Sequence, residues 1–205
     1  MKVSDIAFTE AVKAQQQRLG SRAVYEKAID RKDWSNEITP DLAAFLAERE
    51  SFYLATSNAA GQPYIQHRGG PKGFLKIIDA QTLAFADFAG NRQYISIGNL
   101  TESDKVALFF MDYANQTRIK LWGRARVVED DPELLEKLTD LSYRGRPERA
   151  FLIEVEAWDA NCPQHIPQLY SEEVVRQVSA KLAARVAALE AENAELKAWM
   201  GKSGG

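Results

Sequence analysis

Basic side chains beside glycine turns are the residues in this chain that point most directly to chemistry. Positions 63–100 read PYIQHRGGPKGFLKIIDAQTLAFADFAGNRQYISIGNL. Arg68, Lys72, Lys76 and Arg92 gather here around two glycine-containing turns, RGGPKG and AGNRQ, and the second turn is predicted to open a helix. Glycine lets backbone N–H groups approach an anion closely, a helix N-terminus adds positive partial charge, and arginine offers a bidentate fork. Together they describe a phosphate pocket, although basic hairpin turns of this kind also occur as plain solvated loops.

A second set lies in TRIKLWGRARVV. Strict alternation puts Arg118, Lys120, Trp122, Arg124 and Arg126 on one face of a strand and Ile119, Leu121, Ala125 and Val127 on the other. The apolar face belongs to a core. Arg124 and Arg126 read as solvated, whereas Arg118, Lys120 and Trp122 are placed to line a groove for a flat anionic ligand.

These residues need a scaffold, and the pattern around them predicts one. Residues 4–29 are polar and helix-prone, with Ile6, Val12, Leu19 and Val24 too sparse for a deep core face, which predicts a peripheral arm. A clearer helix starts at ITPDLAAFLAERE, where Thr39 caps, Pro40 takes the first helical position, and Leu42, Phe45 and Leu46 form the buried stripe. From Ser51 the sequence turns to short aromatic and β-branched runs separated by turn signals. Strands are predicted near 51–57, 63–68, 73–78, 82–88, 105–112, 117–129 and 149–157, interrupted by a short helix after Asn91 and another capped by Asp131. Closely spaced strands with only short helices between them favour an antiparallel barrel over a doubly wound parallel sheet.

The end of the chain has a different period. Residues 171–200 carry no Gly or Pro, and a heptad register places Val175, Leu182, Leu189 and Leu196 at d and Ser179, Val186, Asn193 and Met200 at a. Arg185 and Glu192 then fall at g, Glu190 and Lys197 at e, so each g residue meets an opposite charge in a parallel partner. A buried Asn at one a position favours a parallel dimer. A single amphipathic helix folded back on the barrel is the alternative, but about 45 Å of helix at 1.5 Å per residue exceeds what a small barrel needs as a cover.

Composition narrows the function classes. Of 205 residues, 45% are hydrophobic, and 26 basic against 29 acidic side chains leave a net charge of -3, so a dedicated nucleic-acid binder is not expected and any phosphate chemistry rests on local clusters. A single cysteine, Cys162, and two histidines exclude an intrachain disulfide and a cysteine-rich zinc site. The first twenty residues lack an uninterrupted apolar run, so neither a signal peptide nor a membrane anchor is expected, and the expected compartment is the cytoplasm.

The order of elements across about residues 40–160, from FYLATS through GQPYIQ, GFLKIID and LAFADF to GNRQYISIGNL and KVALFF, resembles the pyridoxamine 5'-phosphate oxidase-like split-barrel flavoproteins. The resemblance implies a mainly β fold: an antiparallel split β-barrel of the FMN-binding type at 37–165, an N-terminal helical arm at 1–36, and the heptad helix at 171–200. It also implies a homodimer with FMN in a cleft at its interface. By position, the FMN phosphate is expected near Arg68, Lys72, Asn91, Arg92 and Gln93. The isoalloxazine edge is expected along the backbone of Pro71, Lys72, Gly73 and Phe74, with Asp87 on the adjacent strand. Arg118 and Lys120 resemble the positions that reach the flavin ring from the long strand, across the dimer.

RGGPKGFLK, together with AWDANCPQHI, resembles a branch distinct from the true vitamin B6 oxidases, and nothing here resembles their C-terminal substrate segment. The expected activity is that of an oxidoreductase using FMN with a small-molecule electron donor or acceptor, NAD(P)H among them, with neither nucleic acid nor membrane as a partner. The alternative is a non-catalytic module that holds flavin, haem or a deazaflavin. His165, in NCPQHI, is the candidate proton donor over the flavin, although a histidine past a strand end is commonly structural. His67 carries the same two readings. Cys162 reads as a packing residue and Trp158 as a plug of the barrel.

Overall fold

The computed structural model describes residues 2–161 and 163–203. The chain divides into two compact units, residues 1–112 with 117–164 and residues 113–116 with 165–205.

The larger unit is built on seven antiparallel strands: β1 (Ser51–Ser57), β2 (Pro63–Gly69), β3 (Lys76–Ile77), β4 (Thr82–Phe88), β5 (Lys105–Asp112), β6 (Thr117–Val128) and β7 (Pro147–Asn161). Their order in the sheet is β2-β1-β5-β6-β7-β4-β3. Period-two alternation governs burial: Phe52 and Leu54 on β1, Val106, Leu108 and Phe110 on β5, and Ile119 and Leu121 on β6 all point into one core. Rings dominate that core. Phe85 stacks on Phe151 with centroids 5.0 Å apart, and Phe52 stacks on Phe74 at 5.6 Å.

The helices are α1 (Glu10–Arg18), α2 (Arg22–Arg31), α3 (Pro40–Ala47), α4 (Ile95–Glu102) and α5 (Pro132–Leu138), with α6 (Glu172–Ser203) in the smaller unit. The caps follow the sequence: Thr39 Oγ1 accepts from the Leu42 amide, and Asp131 Oδ1 accepts from the Leu134 amide. Leu42 and Leu46 of α3 are buried.

Three local expectations change. The arm is a 3-10 turn (Val3–Ile6) followed by two helices, and it does more than lie at the periphery. Phe8 packs on Tyr25 and Trp34, and Trp34 stacks on Trp122 of β6 at 5.0 Å and 13°. The strand expected at 73–78 shrinks to Lys76–Ile77, because the chain before it is held elsewhere: the Gly70 amide donates to Glu50 O and the Gly73 amide to Arg49 O. Gly73 has φ +70°, and a Cβ there would lie 3.0 Å from Ala47 O, so this turn requires glycine. The last strand runs past its predicted end to Asn161. It carries a bulge opposite Trp122 and Gly123, which leaves the alternation of β6 unbroken.

Trp158 belongs to the core periphery, and its indole Nε1 donates to Glu37 O at 2.8 Å. In the smaller unit the loop at 113–116 is fastened by two glutamines: Gln116 Nε2 donates to Ile166 O and Gln168 Nε2 to Ala114 O. No helix among the described residues is long and apolar enough to cross a membrane.

Candidate functional site

The inward-facing rows of β4 and β7 run Leu83, Phe85, Asp87 and Ile153, Phe151, Arg149, paired residue for residue across the two strands. The first two pairs are core. The third replaces rings by charge, so the apolar row ends in an Asp87–Arg149 pair at its mouth. Arg68, from the end of β2, lies over the Phe151 ring at 5.0 Å and reaches the same carboxylate.

Asp87 is thus shared by two guanidiniums. Arg68 Nη1 donates to Oδ1, and Arg149 Nη1 lies 3.5 Å from Oδ2. All three side chains are nearly closed off from water, at 9% exposure for Asp87, 13% for Arg68 and 12% for Arg149. Burial pushes the Asp87 carboxyl above its ordinary range, against the pull of Arg68 and Arg149. Burial likewise pushes the Arg68 guanidinium down, opposed by Asp87, and arginine remains charged throughout. Glu148, also little exposed, lies 3.3 Å from Arg149 Nη2 and 3.8 Å from Arg92 Nη2.

Two donors are left over. Arg68 Nε and Arg149 Nε are buried with no hydrogen-bond partner among the described residues; Glu129 Oε1 is 3.2 Å from Arg149 Nε but without hydrogen-bond alignment. Buried unmatched guanidinium donors are costly and mark a place where an acceptor fits. They stand beside a cleft of about 190 Å³ lined by Gln66, Arg68, Asp87, Asn91, Arg92 and Arg149, together with Tyr94, Ser96 and Ile97 at the start of α4. The lining carries three arginines against Asp87 and Glu148, so an anion is the favoured occupant.

The residues expected at the site divide into two groups. Arg68, Asp87, Asn91 and Arg92 come together in the cleft. Asn91 and Arg92 do so from a loop, because α4 begins only at Ile95, after Tyr94 in a left-handed conformation. Asn91 Oδ1 accepts from the Gln93 amide, and Gln93 itself is exposed and outside the lining. Lys72 also lies outside it: Nζ donates to Glu48 Oε2 at 2.9 Å, which raises its pKa. Pro71, Lys72, Gly73 and Phe74 form a turn against the end of α3 that buries Phe74 in the core, so none of the four lines the cleft. Lys76 is half-buried on β3.

Arg118 and Lys120 sit on β6, outside the cleft lining. Lys120 Nζ lies 3.4 Å from Asp159 and over the rings of Trp34 and Trp122, so one face of Trp122 is taken by Trp34 rather than left open for a ligand. Lys120 also edges an apolar groove with Tyr53, Ile65, Phe109 and Trp122. His67 is exposed on β2, edge-to-face with Tyr53. His165 is exposed, has φ +65°, and belongs to the smaller unit, and Cys162 lies outside the described residues.

Arg149 and Glu148 are the site residues that sequence reasoning missed. A signal existed for Arg149: it shares strand parity with Phe151, Ile153 and Val155, so a charge stands in an inward row.

Residues 38–162 match the family described as pyridoxamine 5'-phosphate oxidase. No curated protein matches the chain significantly. Among solved structures, a HupZ variant from Group A Streptococcus superposes with a TM-score of 0.50 at 20% identity, over 60% of this chain and 99% of that one, which shows a shared fold. A putative pyridoxamine 5'-phosphate oxidase from Lactobacillus delbrueckii gives 0.47 at 22% identity, over 61% of this chain and 95% of that one. An FMN-binding protein from Syntrophomonas wolfei gives 0.46 at 14%, over 71% and 97%.

Proposed function

The chain belongs to the pyridoxamine 5'-phosphate oxidase family, and from that membership we propose that it is an FMN-dependent oxidoreductase that holds the flavin non-covalently in the arginine cleft of a homodimeric split barrel. The observation that carries this reading is the convergence of Arg68, Arg92 and Arg149 on one cleft, with Arg68 Nε lacking any partner among the described residues and Arg149 Nε meeting only a poorly aligned Glu129. Arg68 and Arg149 supply charge-assisted donors suited to a phosphate monoester, and Asp87 fixes both guanidiniums before any ligand arrives. Arg92, mostly exposed, closes the rim, and the first turn of α4 adds positive partial charge.

FMN, when bound, supplies two-electron hydride chemistry toward a small-molecule donor or acceptor. Tyr53, Ile65 and Phe109 leave an exposed apolar face on the sheet, which supports burial against a second copy. Arg118 and Lys120 lie outside the cleft of their own chain, so in this reading they serve the cleft of the other copy, where a cation favours negative charge on a reduced ring.

The test is the visible spectrum of the purified protein and an FMN titration of the apoprotein. The expected result is a yellow protein whose FMN affinity falls about 10- to 100-fold in Arg149→Ala, the loss of one charged hydrogen bond. Reduction by NADH or NADPH then tests the oxidoreductase step. A colourless protein that takes up no FMN overturns the proposal. A haem Soret band lost on replacing His67 or His165 replaces it with the binding-module reading.

A further inference from the structure

Helix α6 spans 32 residues, and every one of them up to Met200 is exposed. Its apolar residues recur at intervals of seven, with Val175 at 52%, Leu182 at 62%, Leu189 at 39% and Leu196 at 53% exposure. Helices in proteins gain most of their stability by packing such a stripe, whatever their intrinsic propensity. A strict seven-residue repeat drifts around a straight helix by about 20° per heptad and stays on one seam only when two helices supercoil. The period therefore fits another helix better than a flat sheet.

From this we infer that α6 is one strand of a parallel two-stranded coiled coil formed with a second copy of this chain. Charge selects the orientation. In a parallel pair in register, Arg185 faces Glu190 and Glu192 faces Lys197, on both sides of the seam. None of these four side chains has an ion-pair partner within its own chain among the described residues, whereas Arg176 pairs with Glu172 at 2.6 Å. The fully overlapped antiparallel alignment sets each Arg185–Glu192 pair against an Arg176–Lys197 repulsion, and the shifted ones oppose Glu192 or Arg185 to its own copy, whereas the parallel pair gains two attractive pairs on each side.

Asn193 selects the same arrangement. Its Nδ2 donates to Leu189 O at 3.0 Å within the helix. In a parallel pair it shares a layer with the same residue of the other copy, and the two amides bond to one another. In an antiparallel pair it faces leucine, and the amide is buried against apolar atoms.

Homotypic cross-linking separates the arrangements without reference to flavin. In full-length protein with Cys162→Ser, Val175→Cys and Leu196→Cys are made separately and equilibrated in a glutathione redox buffer. Their positions are 21 residues apart, about 31 Å along the helix. A parallel pair in register gives a covalent dimer from each variant, while an Ala191→Cys control on the outer face stays monomeric on a non-reducing gel. Failure of both variants to cross-link, or cross-linking only when the two are mixed, overturns the inference.

Discussion

Replacing Asp87 by Asn tests the electrostatic logic of the cleft directly. The carboxylate is 9% exposed and neutralises two guanidiniums that are themselves 13% and 12% exposed. At an effective dielectric near 20, opposite unit charges about 4 Å apart attract by about 4 kcal/mol, and stripping one partner from a buried pair costs about 3–5 kcal/mol. Asparagine keeps the shape and an acceptor oxygen but leaves Arg68 and Arg149 facing each other without a counter-charge. Asparagine also escapes the desolvation that raises the Asp87 pKa, so apo Asp87→Asn should lose less than that full cost, about 2 kcal/mol in urea unfolding, with the slope unchanged. The cleft lining also gains one net positive charge, so an anion should offset the loss. Inorganic phosphate at one hundred times its dissociation constant returns about 2.7 kcal/mol. The assay is paired denaturation of wild type and variant, in chloride and in phosphate at matched ionic strength. A variant within about 1 kcal/mol of wild type, where surface changes fall, refutes the shared-carboxylate argument. So does a phosphate increment no larger in the variant than in wild type.

Gly123→Ala should destabilise the sheet by about 1–3 kcal/mol, because the new Cβ would lie 2.2 Å from Glu154 O, a backbone atom that cannot swing aside. A shifted urea midpoint checks it, and an unchanged midpoint refutes the close approach. Asp33 tests the arm through pH. Burial raises this carboxyl, but hydrogen bonds from the amides of Trp34, Val3 and Ser4 overcome that and hold it below its ordinary value. A depressed folded pKa stabilises above the unfolded value, near about 3.9, and the contribution is lost as pH falls through the folded value. The stability gap between wild type and Asp33→Asn should be full at pH 6 and close progressively below about pH 4.

Much of the scaffold was legible because one signal, period-two alternation, is set by burial of one strand face. β1, β5 and β6 fall within a residue of their expected bounds for that reason, whereas β4, buried on both faces, was legible as a short apolar run between turns. The signal failed where backbone was held by partners distant in sequence. Residues 73–75 read as the start of a strand, yet the Gly70 and Gly73 amides are claimed by Glu50 and Arg49, and nothing local announces that competition. The cleft shows the same division. Arg68 and Arg92 stood out because glycine turns flank them. Arg149 sits in an ordinary strand, and only its cross-strand pairing with Asp87 brings it to the site. Lys72 looked equivalent to Arg68 by spacing, but an exposed lysine beside Glu48 has a nearer partner.

The acidity of the whole chain and the arginine cleft are compatible for a physical reason. Guanidiniums as little exposed as Arg68 and Arg149 cannot be left uncompensated in a folded apoprotein, since desolvation alone would cost more than a small domain can supply. Asp87 and Glu148 provide the compensation in advance, which is why a net charge of -3 concealed the site. The compensation is incomplete in geometry, because Asp87 and Glu148 engage Nη atoms, Arg68 Nε has no partner among the described residues, and Arg149 Nε has only a poorly aligned Glu129. An incoming phosphate therefore need not displace Asp87 to be bound. In the proposed reading the ligand joins guanidiniums that the carboxylate has already oriented, so its affinity should depend on Arg149 and Arg68 while stability depends on Asp87.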